Sequence, residues 1–229
     1  MIGFYNYTML LTYMSLISAS LGIMFSLMDE GHPFIGCFFL LFSGLCDAFD
    51  GKVARTKKNR TDMEKEYGIQ IDSLSDLVAF GILPVCIGVA MLRRSEYFDN
   101  LFENSSAWQS TLLKVVCYTI FVLYALAALI RLAYYNVTES ERQKVESGDR
   151  KHFLGLPVTS SALIFPFIML FHYILPADVT PIYVVAVFVT GFLFVFRFKI
   201  PKFGVKGVLA LVAIGVVEFI LLCIWKILH

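Results

Sequence analysis

A single polytopic bundle of about seven membrane-spanning helices is the fold class this sequence predicts, on three observations. The 229 residues are 58% hydrophobic and only 16% charged, with a mean hydropathy of +0.74. Apolar stretches long enough to cross ~30 Å of hydrocarbon at ~1.5 Å per residue recur along the whole length. Basic residues gather in alternate connections between those stretches. No soluble domain fits beside them, so residues 1–229 read as one integral membrane domain.

The first stretch, 10 to 28, has no basic flank before it and reads as a span rather than a cleavable signal. The second, 33 to 56, closes on Asp47-Ala-Phe-Asp50-Gly51-Lys-Val-Ala54-Arg55. The third, 69 to 92, follows at once on Gly68-Ile-Gln-Ile-Asp72-Ser-Leu-Ser-Asp76. At ~100° per residue, Asp47, Asp50, Gly51 and Ala54 fall within about a third of a helix circumference, and Asp72 and Asp76 share a second face. Carboxylates at membrane depth need a cation, a proton or a paired base, so a metal-dependent site is expected there. The fourth stretch, 110 to 136, ends on Arg131-Leu-Ala-Tyr-Tyr-Asn136, and the fifth, 156 to 175, begins at Phe153-Leu-Gly155-Leu-Pro157. The sixth and seventh, 180 to 197 and 207 to 228, are far less informative; Glu218, alone in the last, is assigned no role.

Charge sets the expected orientation. The connections after spans two, four and six hold 14 of the 19 basic residues, whereas the alternate connections hold only Arg93 and Arg94, with Lys226 near the C-terminus. The basic connections are therefore expected in the cytoplasm, with the N-terminus inside and the C-terminus outside. The aspartates, Arg131 to Asn136 and Phe153 to Pro157 all come to that side. Since Asp47 precedes Arg55 by eight residues, ~12 Å of helix, the site is a cavity reaching into the membrane from the cytoplasm. The five cysteines lie in apolar spans at no metal-ligand spacing and read as packing residues.

Each group also has a plainer explanation. Gly51 and Ala54 could serve close helix packing alone; beside two aspartates they instead let a bulky ligand approach the backbone, with Arg55 placed to neutralise its anionic part. Arg131 could simply snorkel to the interface. Lys57-Lys58-Asn59-Arg60 follows the positive-inside rule, with attraction to anionic headgroups as a secondary effect.

The pattern Asp47-x-x-Asp50-Gly51-x-x-Ala54-Arg55, then Gly68-x-x-x-Asp72-x-x-x-Asp76, resembles the signature of the CDP-alcohol phosphotransferases, integral membrane enzymes. It departs in one respect: twelve residues separate Arg55 from Gly68 where eight are common, an excess of about one helical turn. The stretch from Asp72 to Pro84, Arg131-Leu-Ala-Tyr-Tyr-Asn136-Val and Phe153-Leu-Gly155-Leu-Pro157-Val are similar to the branch of that family that uses serine. Nothing is carried over to Leu11-Thr12-Tyr13, where many relatives have a different pattern. The resemblance implies transfer of a phosphatidyl group from CDP-diacylglycerol to L-serine, releasing CMP. It assigns Asp47, Asp50, Asp72 and Asp76 to two divalent cations, Mg²⁺ or Mn²⁺, and Asp76 to the general base. Asp47, Gly51, Ala54, Arg55 and Gly68 would hold the CDP-lipid; Arg131 and Asn136 are the candidates for serine. A homodimer is implied too, in the cell membrane or, in a eukaryote, the endoplasmic reticulum membrane, with membrane lipid and no nucleic acid as partner.

Two other functions compete. A phosphorylated acceptor, glycerol 3-phosphate or an inositol phosphate, would call for extra inward-facing cations, for which Arg131, Arg197 and Lys199 are available. A cation transporter would be expected to repeat its spans and spread polar residues toward both faces, and this chain does neither. An inactive family member acting as a scaffold would have reason to lose signature residues, and all eight are present.

Overall fold

The computed structural model describes residues 3–28, 31–145, 152–174, 178–201, 210, 213–218, 220, 221 and 224. The expectations placed on Arg150, Lys151, Lys202, Lys206, Cys223 and Lys226 fall outside them. The elements are α1 (Leu10–Leu27), α2 (Pro33–Ala54), α3 (Asp62–Asp76), α4 (Leu83–Arg94), α5 (Glu96–Glu103), α6 (Ala107–Val145), α7 (Ser161–Ile174) and α8 (Thr180–Val195). Two three-residue strands, β1 (His152–Leu154) and β2 (Lys199–Pro201), pair antiparallel beside the ends of α6 and α8. Among the described residues four helical stretches are long and apolar enough to cross a membrane: Tyr7–Leu27, Pro33–Ala54, Asp62–Arg94 and Ala107–Arg142. Val158–Phe171 and Thr180–Val195 are shorter apolar helices, and the described residues of the seventh expected span are helical.

α1 and α2 pack along a seam of small and hydroxyl side chains, as membrane helices do without a hydrophobic force between them. Ser15 and Ser43 each donate to the other's carbonyl, at 3.4 and 3.1 Å, and Ser18 Oγ donates to the Phe39 carbonyl at 2.8 Å. On the far side of α2, Gly44 lies so close to α7 that a Cβ there would stand 2.5 Å from that of Ala162. The stretch from Asp62 to Arg94 is the central one: 67% of its apolar window is buried, against 28% for the long α6, whose Val122, Leu126 and Leu129 face outward. Phe80, Leu83 and Ile87 from this central stretch meet Phe121, Tyr124, Phe165 and Tyr183 in the core.

Between α3 and α4 the chain passes through a π-helical turn, Leu77–Ile82. Pro84 accounts for it, having no N–H to give the carbonyl of Phe80 four residues back. That carbonyl is satisfied from two other helices, by Tyr124 Oη at 2.7 Å and Ser161 Oγ at 3.4 Å. The turn follows directly on Asp76, so the last aspartate sits where the helix changes its winding.

The structure differs from the expected spans in three places. α6 runs nine residues past the expected end at Asn136, because Glu139 and Arg142 pair one turn apart at 2.6 Å and make the polar extension a good helix. The short amphipathic α5 lies in what reads as a plain connection, with the Ser95 hydroxyl capping the Phe98 N–H. The third helix starts well before 69, where Thr61 and Glu64 form a capping box. Cys37, Cys46, Cys86 and Cys117 are buried and free, matching their reading as packing residues. Glu218 is 4% exposed and faces the bundle.

Candidate metal and donor site

α2 delivers Asp47 and Asp50 within its last two turns, and α3 brings Asp72 and Asp76 back alongside. Asp47, Asp50 and Asp72 each offer a carboxylate oxygen, and these oxygens lie within 4.8 Å of one another. Asp76 lies close beside Asp47, and Asp50 beside Asp72, so all four belong to one cluster. Asp76 is buried and the other three half-buried. Negative charge gathered this tightly in apolar surroundings requires compensation. An all-oxygen set of hard carboxylates fits Mg²⁺ or Mn²⁺ better than zinc.

The cluster is oriented from α1. Thr12 Oγ1 donates to Asp50 Oδ2 at 3.3 Å, and the Thr12 carbonyl accepts from Ser75 Oγ at 3.2 Å. One threonine thereby ties α1 to both aspartate helices. The signal for it was present in the sequence: Thr12, Ser15, Ser18, Gly22 and Ser26 recur at helical spacing on an otherwise apolar segment, and all are buried.

At the mouth, Arg55 folds back over Gly51, whose added Cβ would lie 3.4 Å from Nη1. Ala54 ends α2 with its carbonyl accepting from Arg60 Nη1 at 3.5 Å. Gly68 is covered by the same guanidinium, Arg60 Nη2 standing 2.7 Å from where its Cβ would be. Beside them Glu64 takes Lys57 Nζ at 2.7 Å and Asn6 Nδ2 at 3.1 Å.

Arg131 and Asn136 are not brought together. Five residues apart on an unbroken helix, they point about 140° away from each other. Asn136 Nδ2 donates to Ser73 Oγ at 2.7 Å, next to Asp72. Arg131 is only 6% exposed, so it does not snorkel; its Nε donates to the Leu156 carbonyl at 3.2 Å, and its guanidinium lies over the Tyr135 ring. With Tyr134, Phe194 and Arg197 it lines a separate cavity of about 190 Å³, and none of the four aspartates lines that cavity. The segment held by Arg131 turns at Gly155, whose φ of +74° and contact with the Phe194 and Phe196 carbonyls exclude a side chain.

Fold and site together define a polytopic membrane protein with an acidic cation-type centre and a small-residue mouth at one end of the bundle. The family model for CDP-alcohol phosphatidyltransferase matches residues 5–196, and the chain belongs to that family. Among similar proteins are a CDP-diacylglycerol–serine O-phosphatidyltransferase of Saccharomyces cerevisiae, 36% identical over 61% of this chain and 44% of that protein, and one of Helicobacter pylori, 24% identical over 81% and 69%. An archaetidylserine synthase of Methanothermobacter thermautotrophicus is 30% identical over 66% of this chain and 53% of its own length. The chain thus spans under half the length of its yeast relative.

Proposed function

We propose that the chain transfers a phosphatidyl group from CDP-diacylglycerol to L-serine, giving phosphatidylserine and CMP at the cytoplasmic face of its membrane. The observation that carries this reading is the convergence of Asp47, Asp50 and Asp72, with Asp76 beside them, at a mouth walled by Gly51, Ala54, Arg55 and Gly68. Serine as acceptor is supported by the relatives of yeast and Helicobacter pylori, which are named as serine O-phosphatidyltransferases. Asp47, Asp50, Asp72 and Asp76 would hold two divalent cations, Mg²⁺ or Mn²⁺, which when bound would polarise the diphosphate and neutralise the departing CMP.

The chain's own groups then have separate tasks. Gly51 and Ala54 leave room for the nucleotide against the backbone, and Arg55 meets its phosphate. Asp76 accepts the proton of the serine hydroxyl, a poor nucleophile while protonated. The serine oxygen bonds to the phosphorus that bears the lipid as the bond from that phosphorus to the CMP oxygen breaks, in a single displacement. Asn136, hydrogen-bonded to Ser73 in the turn between Asp72 and Asp76, lies near enough to orient the acceptor. A second copy of the chain is its expected partner.

One feature favours a phosphorylated acceptor instead: Arg131 and Arg197 share a cavity. Its separation from the aspartates keeps serine the better reading. Purified chain in lipid nanodiscs with CDP-diacylglycerol and Mn²⁺ or Mg²⁺ decides between them. CMP release and a phosphatidylserine product are expected with serine; product only with glycerol 3-phosphate or an inositol phosphate would reverse the assignment.

A further inference from the structure

The connection from α2 to α3 is the one place where the chain departs from its family's signature spacing, and it is built around Arg60. Two of the five N–H donors of this guanidinium reach main-chain carbonyls, Ala54 at 3.5 Å and Glu64 at 3.3 Å. Its Nε is buried and has no hydrogen-bond partner among the described residues. The nearest acid, Glu64, is already engaged by Lys57 at 2.7 Å, by Asn6 and by the Thr61 N–H at 3.0 Å. Among the described residues no carboxylate lies within salt-bridge distance of Arg60, nor of Arg55. The two signature glycines are therefore each overlaid by a guanidinium that no carboxylate among the described residues contacts directly, Gly51 by Arg55 and Gly68 by Arg60, with Asp50 and Glu64 acting on them only at longer range.

A partly buried guanidinium kept at full charge, with donors to spare, is costly unless an anion meets it. We infer that Arg60 is a second donor-binding arginine: together with Arg55 it takes the phosphate of the nucleotide half of the CDP-lipid, a task made possible by the longer connection. Resting on the CDP-lipid reading, this inference adds a residue outside the signature. Arginine suits the task because its planar fork can hold main-chain carbonyls on one edge and phosphate oxygens on the other.

The test uses the full chain in nanodiscs with Mg²⁺. CMP affinity is measured by calorimetry, and KM is measured separately for CDP-diacylglycerol and for serine, in wild type, Arg60→Ala and Arg60→Lys. Arg60→Ala is expected to weaken CMP binding and raise the CDP-diacylglycerol KM by about tenfold, with the serine KM within about twofold. Arg60→Lys should recover part of the loss and shows the effect is not one of misfolding. A folded Arg60→Ala that binds CMP as wild type does, or raises both KM values equally, overturns the assignment. A wild type that binds CMP yet makes no lipid product with any acceptor refutes the parent reading instead, and the CMP titration still decides Arg60.

Discussion

At the scale of single residues, what was legible in the sequence was what is expensive. Four carboxylates inside apolar helices demand an explanation wherever they occur, so Asp47, Asp50, Asp72 and Asp76 could be picked out before any coordinates. Thr12 stood out only as one member of a stripe of small and hydroxyl residues on α1, and its contact with Asp50 could not be read, because a threonine in a membrane helix can satisfy its own hydroxyl on the preceding turn and so costs little wherever it points. Arg60 was hidden for the opposite reason, standing in a basic run that the positive-inside rule explains by itself. The contact of Thr12 with Asp50 predicts a dissociable effect. Thr12→Val keeps the shape and removes the donor, so Mn²⁺ affinity, read by electron paramagnetic resonance, should fall by about 10- to 100-fold, as for other partners of metal ligands. Thr12→Ser should restore most of it; equal affinity in wild type and Thr12→Val would show that Asp50 needs no such support. For Asp76, the asparagine variant should lose at least about 100-fold in turnover while still binding CMP. Near-normal turnover would remove it as the base.

At the scale of elements, helices were visible as apolar runs, but their ends and irregularities were not, since these depend on groups far away in sequence. The π turn at Leu77–Ile82 exists because Pro84 frees the Phe80 carbonyl, yet it is tolerable only because Tyr124 and Ser161 arrive from α6 and α7 to bond it. Tyr183 likewise donates to the Pro84 carbonyl at 2.7 Å from α8. Three helices thus secure the winding change immediately after Asp76. Tyr124→Phe removes one of these bonds with almost no change of shape and leaves the weaker Ser161 contact, so a loss of about 1 kcal/mol is expected in unfolding of the detergent-solubilised chain. If Ser161→Ala in addition costs no more than Tyr124→Phe alone, the Phe80 carbonyl is not what couples these helices. Arg131 and Asn136, both candidates for serine, lie near one end of α6 but on different faces of it, and only the packing of that helix separates Asn136 beside Ser73 from Arg131 beside Leu156.

At the scale of the whole molecule, the two ends of the bundle are chemically unlike. The aspartate end carries Lys52, Arg55, Lys57, Lys58, Arg60, Lys65, Arg142, Arg197 and Lys199, whereas Arg93, Arg94 and Lys114 lie at the other, the asymmetry on which the proposed cytoplasmic placement of the active end rests. The far end is closed by neutral and acidic hydrogen bonds. Asp178, between α7 and α8, accepts from the Ser95 hydroxyl and the Tyr97 N–H at the start of α5 and from the Thr180 N–H at 2.9 Å. Burial alone would push its pKa up, but the bonds from Ser95, Thr180 and Tyr97 outweigh this and hold it below the ordinary 3.8. A carboxyl whose folded pKa is depressed adds stability that is complete above its unfolded value and disappears as pH falls through the folded one. Thermal unfolding of wild type should therefore exceed that of Asp178→Asn at neutral pH, and the gap should narrow only below pH about 4. Because the buried aspartates titrate alike in both proteins, the difference between the two curves isolates this one latch. A gap that persists unchanged well below pH 3 would mean that the asparagine is failing on geometry, and that the charge of Asp178 does not hold the α7–α8 connection to α5.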